Sequence, residues 1–310
     1  MPTSEPFERE KTISGLSINS YELFFMNYSV KIFSFLLLIL FFNSCKQDHK
    51  SIFPEEDISE NPIRYLHISH TRTNANPNLD SIVEAKDFSK YDMLWLGGDL
   101  AESTSLDVAT MNHVDSIFDL ANPNTLWALG NHDYDDLQRV RSYTLRETYN
   151  VYYKNGITIL VLDTQDSLSN IIGMQKQFVE AVLDTIAASS HLIILTHKLI
   201  WMYGDSILEP QIQSITNGGF GLCFYCLNPN NFYTTIYPQL LAIQNRGVKV
   251  ICIAGDIGFY TKEFSYVNSD GMTFLASGIN AGTNGNKALL FSHNKNKKTL
   301  TWSFVPLMDL

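Results

Sequence analysis

The chain has 310 residues, of which 45% are hydrophobic and 17% are charged, and its formal net charge is −10. This composition is that of a globular protein, and it excludes a wholly disordered, collagen-like or coiled-coil chain. Non-specific nucleic-acid binding needs a basic surface that replaces counterions, so the acidic balance argues against nucleic acid as a partner. Four cysteines are too few for a fold held together by disulfides.

The N-terminal segment has the features of a targeting sequence. An apolar run of 11 residues, Ile32–Phe42, follows a short polar start at Met26. Such a run is too short for a bilayer core of roughly 30 Å, which takes about 20 residues, but it is typical of a signal peptide. We therefore predict an untranslated or irrelevant extension over residues 1–25 and a signal peptide over 26–44; a non-cleaved anchor or a buried helix is the alternative. Residues 45–62 are polar and acidic and predict a tether.

The end of the apolar run resembles the lipobox of bacterial lipoproteins, because a small residue, Ser44, precedes Cys45. Asn43 departs from that box. The resemblance implies that Cys45 is lipidated and becomes the mature N-terminus. It also implies a lipid-anchored protein of the cell envelope, on the periplasmic or the cell-surface side, whose membrane contact is made through Cys45.

Short apolar runs alternate with helical patterns over residues 63–310 and predict a single α/β domain. Strands are predicted at 63–69, 93–97, 125–129, 151–154, 158–163, 192–196, 248–254, 273–277, 288–292 and 300–305. Helices are predicted at about 79–87, 105–121, 136–147, 174–188 and 235–246. Parallel β-α units come first, and hairpin-like strands dominate after about residue 250.

Polar turns follow five of the predicted strands, and each contains a possible metal ligand. The turns are HISHTRT at 67–73, GGDLAES at 97–103, GNHDYDD at 130–136, THK at 196–198 and GDIGF at 255–259. Open α/β sheets bind their ligands at the carboxyl ends of strands. We therefore expect these five turns to form one site.

In this order the turns resemble the motifs of the calcineurin-like metallophosphoesterases, which are D-x-H, G-D, G-N-H-[DE], an isolated His and G-H-x-H. Gly98-Asp99 and the run from Gly130 to Asp133 match outright. The resemblance covers roughly residues 60–305. It implies a four-layer α/β/β/α sandwich of two mixed β-sheets and a metal-dependent hydrolysis of phosphoesters.

Two of the five motifs depart from the family. D-x-H has become His70-Thr71-Arg72, and G-H-x-H has become Gly255-Asp256-Ile257-Gly258. By resemblance, the site of one of the two family metals would keep Asp99, which both metals share, and would have His70 in place of a carboxylate. It would lose its other two ligands to Arg72 and Gly258, because arginine stays protonated and glycine has no side chain. Arg72 and His70 would then lie beside the substrate, where a guanidinium can bind phosphate oxygens in a bidentate fork.

The resemblance implies that the other metal site is retained, with the ligands Asp99, Asn131, His197 and Asp256. Carboxylate, amide oxygen and imidazole suit one divalent ion: Mn²⁺, Fe²⁺, Zn²⁺ or Mg²⁺. Each residue also has a simpler structural interpretation. Asp99, Asn131 and Asp256 are common in turns and helix caps, and His197 could be a core histidine.

The same resemblance assigns the proton chemistry to His132. This histidine would face the substrate and protonate the leaving-group oxygen as the general acid. Glu102, three residues after Asp99, stands where the family often has a carboxylate that orients this histidine.

Cys223 and Cys226 form a C-x-x-C pair in an aromatic-rich segment at about 201–235. A redox pair usually opens a helix, and no helical pattern follows here, so a structural disulfide or two free thiols is expected instead. The segment falls where the family carries substrate-recognition insertions; a buried aromatic satellite core is the alternative.

Two functions from different classes are compatible with the sequence. The first is an envelope phosphoesterase that uses one divalent metal. The second is an inactive relative that binds a phosphate-bearing or carbohydrate ligand or a partner protein, which the two altered motifs favour. Fold alone does not distinguish them.

Overall fold

In the computed structural model, residues 62–310 are described. Residues 1–61 lie outside the described residues. They include the predicted extension 1–25, the predicted signal peptide 26–44 and all of the predicted tether 45–62 except its last residue, and therefore also Cys45. From residue 62 onward, the chain has no helix that is both long and apolar enough to cross a bilayer.

Residues 62–310 contain eleven strands, and they include all ten that the sequence predicts. In chain order they are β1 (Ile63–Ile68), β2 (Met93–Leu96), β3 (Thr125–Trp127), β4 (Asn150–Lys154), β5 (Ile157–Val161), β6 (His191–Leu195), β7 (Lys249–Ala254), β8 (Glu263–Val267), β9 (Thr273–Ser277), β10 (Lys287–Asn294) and β11 (Thr299–Pro306). Strand β8 was not predicted. Strand β8 lies at the edge of a sheet and is only partly buried, so it can contain a glutamate and a serine. These two residues leave no continuous apolar run that would indicate a strand.

The strands form two mixed sheets. One has the order β11-β10-β1-β2-β3. In it β1, β2 and β3 are parallel to one another, and β10 pairs antiparallel with both β1 and β11. The other has the order β4-β5-β6-β7-β9-β8, with four parallel strands between antiparallel edges. Strands β1, β2, β6 and β7 are therefore interior strands of their sheets, and each is followed by one of the polar turns.

Six α-helices lie in the described part of the chain. They are α1 (Ser81–Glu84), α2 (Val108–Phe118), α3 (Leu137–Thr144), α4 (Gly173–Thr185), α5 (Ile212–Ile215) and α6 (Tyr237–Asn245). Five were predicted, at greater length, and the single turn α5 was not. Helices α2 and α3 start later than predicted because Asp107 and Asp136 act as N-caps, each accepting a backbone N–H three residues ahead.

Three hydrophobic clusters separate four layers. The central cluster joins the two sheets through residues such as Trp95, Ile193 and Phe291. A second cluster packs α2 and α3 on the five-stranded sheet, and a third packs α4 and α6 on the six-stranded sheet. This is the predicted α/β/β/α sandwich, because each sheet buries one face against the other sheet and one against helices.

His67 lies inside β1 and is fully buried, in agreement with the structural role that its position in the strand suggests. Its Nδ1 is 2.8 Å from the hydroxyl of Ser277 at the end of β9, so the ring connects the two sheets. Burial lowers the pKa of His67 to about 3. The imidazole is therefore neutral in the folded protein at every pH near neutrality.

We expect the free energy of unfolding to decrease as the pH falls from about 6.5 towards 4. Below about pH 6.5 the unfolded chain protonates this histidine, whereas the folded chain does so only near pH 3, so acid favours unfolding. At pH 5 the loss from this single residue is about 2 kcal/mol, since each pH unit contributes about 1.4 kcal/mol. Urea unfolding of His67→Gln at pH 7 and pH 5 should show a pH-dependent loss smaller by that amount.

The exposed histidine of α2 provides the control, because His113→Gln should keep the parental difference between the two pH values. An equal loss in the parent protein and in His67→Gln would contradict the assignment.

Candidate functional site

The turns after β2, β3 and β6 meet because two glycines allow their backbones to touch. A Cβ on Gly98 would lie 2.6 Å from both the Gly130 nitrogen and Nδ1 of His197. A Cβ on Gly130 would lie 2.1 Å from Oδ1 of Asp99. Since real Cβ atoms do not approach other atoms this closely, both positions require glycine, and the glycines bring Asp99 and His197 together.

Two non-glycine residues of the site adopt the left-handed backbone conformation shortly after their strands end. His70 follows the end of β1 with a φ of 58°, and Asp99 follows β2 with a φ of 55°. This conformation costs an L-residue about 1–3 kcal/mol when a bulky or unsupported side chain adopts it, and such residues concentrate at functional sites. Both side chains are buried. The strained turns therefore direct two polar side chains into the protein.

Asp133 holds the central turns in place. Its two carboxylate oxygens accept five hydrogen bonds, from the backbone N–H groups of residues 99, 100 and 130, from the Thr104 hydroxyl and from the Trp127 indole. The carboxylate is fully buried. It therefore fixes the backbone on both sides of Asp99, and its role is structural.

The Nε2 nitrogen of His197 faces two carboxylates. Its Nδ1–H donates to the Gly97 carbonyl at 2.7 Å, which leaves Nε2 without a proton in the neutral ring. Nε2 is 3.6 Å from Oδ1 of Asp99 and 3.9 Å from Oδ1 of Asp256. The structure thus brings together three of the four predicted metal ligands.

This group of side chains is incompletely satisfied. Within residues 62–310, neither Nε2 of His197 nor Oδ2 of Asp256 has a hydrogen-bond partner, and both are buried. Burial, with a contribution from the nearby Asp99 charge, raises the pKa of Asp256 to about 7, although His197 opposes this shift. A buried polar atom without a partner is costly, and a cation would satisfy these atoms together.

The donor set fits a divalent ion in its chemistry, because it consists of one imidazole and two carboxyl groups. In the described part of the chain, however, no group of three or more His, Cys, Asp or Glu side chains has an arrangement that could hold a metal ion as it stands. Asn131, the predicted fourth ligand, is the first residue of the 3-10 turn Asn131–Asp133 that carries His132.

His132 lies at the edge of this group and is partly exposed, with 24% of its side chain accessible. Its backbone N–H donates to Oδ1 of Asp99 at 3.0 Å, and its Nδ1–H donates to the backbone carbonyl of Glu102 at 2.5 Å. Nε2 is therefore the nitrogen that remains for proton transfer to a substrate.

The role expected for the Glu102 carboxylate differs from what the structure shows. The carbonyl of Glu102, rather than its side chain, orients His132; the carboxylate is 4.0 Å from Nδ1. The carboxylate instead forms an ion pair with the Arg72 guanidinium. The permanent charge of arginine attracts the carboxylate more strongly than a histidine that is charged only when protonated.

Arg72 and His70, the residues of the altered first motif, both lie close to Asp99. The Nε of Arg72 is 4.0 Å from Oδ2 of Asp99, and the Nε2 of His70 is 3.5 Å from the same oxygen. His70 donates its Nδ1–H to the Ile279 carbonyl at 3.0 Å, and burial lowers its pKa to about 4, so the ring is neutral at pH 7. A permanent cation and a neutral imidazole thus face the shared aspartate.

The backbone itself excludes a fifth-motif ligand at Gly258. This residue has a φ of +140°, a conformation that L-residues rarely adopt. A Cβ there would lie 2.4 Å from the carbonyl oxygen of Ile279. Because the same carbonyl binds His70, the two altered motifs form one packed unit in which a side chain at position 258 has no room.

Lys198 is a site neighbour that the sequence did not identify as functional. Its side chain is fully buried, and its Nζ donates to the Phe224 carbonyl at 2.7 Å. Burial lowers the pKa of Lys198 to about 8, against the effect of nearby carboxylates including Asp256. The only signal in the sequence was its position directly after His197.

Phe224 belongs to the C-x-x-C loop, which therefore contacts the site. Cys223 and Cys226 form a disulfide with a Cα–Cα distance of 5.1 Å, one of the two expected states of this pair. The Phe224 ring also meets the ring of Tyr134, directly after the 3-10 turn, at 5.7 Å. The disulfide loop packs beside the site, where the substrate-recognition insertions were expected.

Comparison with known proteins agrees with this architecture. Residues 64–209 match the protein-family model described as calcineurin-like phosphoesterase. A dimetal phosphatase from Danio rerio superimposes with a TM-score of 0.51 at 11% identity, over 80% of this chain and 100% of the phosphatase chain. This likeness shows the same fold. No curated protein matches the chain in sequence.

Two nucleotidases are more distant in structure. The NAD nucleotidase of Haemophilus influenzae matches with a TM-score of 0.37 and 15% identity, over 79% of this chain and 49% of the nucleotidase. A 5′-nucleotidase precursor from Thermus thermophilus gives a TM-score of 0.36 and 12% identity, over 79% of this chain and 54% of the precursor. This chain thus spans about half the length of each.

Proposed function

The chain carries a calcineurin-like phosphoesterase domain, and on this basis we propose that it hydrolyses phosphoesters in the cell envelope with one bound divalent metal ion. One observation carries the proposal: Asp99, His197 and Asp256 converge with unpartnered buried atoms beside the partly exposed His132. Packing alone does not account for these three residues, because it would leave their polar groups buried without partners.

In this proposal Asp99, Asn131, His197 and Asp256 hold the ion. Bound there, a divalent ion supplies Lewis acidity towards the phosphoryl group and lowers the pKa of water. His132 donates a proton from Nε2 to the departing oxygen. Arg72 binds phosphate oxygens and replaces part of the charge of a second ion, since its guanidinium lies 4.0 Å from Asp99.

The metal stoichiometry tests the ligand assignment. After loading with Mn²⁺ or Zn²⁺ and removal of free metal, we expect one ion per chain, and close to none in His197→Ala, because the only imidazole ligand of the proposed site is lost. The control is His113→Ala, an exposed histidine on α2. Elemental analysis gives the counts, and hydrolysis of p-nitrophenyl phosphate and bis-p-nitrophenyl phosphate is measured on the same samples.

Two ions per chain would refute the assignment of the altered first site, and no ion in the parent protein would refute the retained one. We expect Arg72→Ala to keep its single ion and to bind phosphate about 10- to 100-fold more weakly, the usual effect of losing a charge-assisted hydrogen bond. Arg64→Ala, at the opposite end of β1, is the matched control. Unchanged phosphate affinity in Arg72→Ala would leave that arginine without a role in binding.

A non-catalytic function is the second candidate, and the position of Arg72 favours it. A guanidinium can bind an anion but cannot coordinate and activate water, so it supports ligand binding better than hydrolysis. Phosphate binding by the metal-loaded protein without turnover of either nitrophenyl ester would support a phosphate- or carbohydrate-ligand module over the enzyme.

We further propose that lipid attached to Cys45 anchors the protein in the envelope. The support is the sequence: a short apolar run followed by Ser44-Cys45. We expect Cys45→Ala to be released from the membrane fraction or to keep its signal segment, because acylation and the cleavage coupled to it need the thiol. Membrane recovery and signal removal equal to those of the parent chain would refute the lipoprotein assignment.

A further inference from the structure

A cavity of about 260 Å³ lies directly beside the altered first site. Its wall includes His70 and Arg72, which face Asp99, together with Phe259, Asn74 and Asn280. Ligand cavities for drug-sized molecules are roughly 300–1,000 Å³, so this one has room for a single ring rather than for a larger group. Arg72 forms an ion pair with the Glu102 carboxylate, and the backbone carbonyl of the same residue orients His132, so the cavity adjoins the leaving-group side of the site.

Phe259 forms the apolar wall of this cavity and is held in place from two sides. Its backbone N–H donates to the Asn217 side chain at 2.8 Å. Its ring meets the His70 ring edge-on at 4.9 Å, and the guanidinium carbon of Arg72 is 6.0 Å from its centroid. The side chain nevertheless remains 44% exposed. A fixed aromatic ring that keeps this much exposed surface at the edge of a polar site is suited to contact another ring.

The polar groups of the cavity are not used by the protein. The side-chain amides of Asn74 and Asn280 line it, and neither makes a hydrogen bond to any other residue between 62 and 310. The Nε of Arg72 is buried and has no hydrogen-bond partner in the same part of the chain. A ligand with a polar edge could satisfy the amides while its anionic group binds the guanidinium.

We propose that this cavity binds the organic part of the substrate and that this part is one planar aromatic or heteroaromatic ring with a polar edge. The phosphoryl group would lie at Asp99 and His197, the ring would contact Phe259, and the amide of Asn280 would bind the polar edge. This inference rests on the proposed phosphoester site, which it makes specific for aryl-type esters.

Phosphonates test the inference without hydrolysis, because their P–C bond does not react and a CH₂ group replaces the ester oxygen. The probes are inorganic phosphate, benzylphosphonate and cyclohexylmethylphosphonate, the last having a similar size but no planar ring. Calorimetry with the purified, metal-loaded protein gives each dissociation constant. We expect benzylphosphonate to bind about 3- to 10-fold more tightly than cyclohexylmethylphosphonate, the scale of an aromatic pair.

Phe259→Leu should abolish this preference and leave inorganic phosphate affinity unchanged, since leucine keeps an apolar wall without a ring. Tyr260→Leu is the matched control: its residue is adjacent, 65% exposed and not part of the cavity wall, so the preference should persist. A carboxamide in the para position of benzylphosphonate should increase affinity severalfold further, and Asn280→Ala should remove only that increase.

Three results would overturn the inference while leaving the proposed function intact: equal affinities for the two phosphonates, a preference that survives in Phe259→Leu, or an equal loss in Tyr260→Leu. Failure of inorganic phosphate and of both phosphonates to bind would instead refute the phosphate site itself, and the inference with it. If the para carboxamide does not increase the affinity of benzylphosphonate, the proposal that Asn280 binds a polar edge of the ring is refuted.

Discussion

His132→Ala should lower kcat for phosphoester hydrolysis by about 10²- to 10⁴-fold, the usual effect of removing a general acid or base. The imidazole is held through Nδ1 by the Glu102 carbonyl and is partly exposed, so Nε2 can reach a bound ester. The bound metal should remain, because the contact of His132 with the metal ligands is made by its backbone N–H, which alanine retains. Steady-state kinetics with phenyl phosphate, whose leaving group is a much stronger base than p-nitrophenolate and therefore needs a proton, and elemental analysis measure the two effects.

The control for this change is His113→Ala, which removes an exposed imidazole paired with Glu84 and should leave kcat as it is. A leaving group that needs no proton should show a smaller loss in His132→Ala than one that does, which a purely structural role would not produce. If His132→Ala retains full activity, the chemistry lies at other residues.

Asp133→Ala should lower the free energy of unfolding by about 3–5 kcal/mol, one of the largest effects that a single substitution has. Alanine would leave five donors buried without an acceptor, and a buried donor that loses its partner costs about 1–3 kcal/mol. Urea denaturation measures the loss. In Asp133→Asn one oxygen remains, so a smaller decrease is expected.

Asp135→Ala is the matched control, because this aspartate lies two residues further along and is exposed. Its stability should stay within about 0.5 kcal/mol of the parent, as for most surface substitutions. Equal stabilities of Asp133→Ala and Asp135→Ala would show that the hydrogen bonds to Asp133 contribute little.

Local patterns in the sequence predicted most of the fold. Buried strands such as β5 and β6 are continuous apolar runs, and a run of this kind reports burial on both faces without any tertiary information. Strand β8 was missed because it is half exposed and its order comes from pairing with β9, a contact between segments that no local pattern records. All five predicted helices are shorter in the structure than in the prediction, and three of them begin after an aspartate cap whose position the apolar period does not reveal.

The sequence predicted which residues belong to the candidate site better than it predicted the contacts between them. The motif order predicted that Asp99, His132, His197 and Asp256 lie together at the carboxyl ends of strands. In the structure, Nε2 of His197 is 3.6 Å from Asp99 and 3.9 Å from Asp256, and the backbone N–H of His132 donates to Asp99. Whether these residues bind one metal stays a prediction. Glu102 shows the limit of position alone, because its carboxylate could contact either Arg72 or His132, and only the distances in the folded protein distinguish the two.

The sequence by itself determined the α/β class, the strand-end location of the site and the loss of two family motifs, because each depends on residue type and order along the chain. The tertiary structure alone decided which partners these residues have. Arg72 pairs with Glu102, Lys198 reaches the disulfide loop, and Gly258 has no room for a side chain. These contacts join segments that are distant in the chain, and their energies depend on distances that only the packing of the two sheets sets.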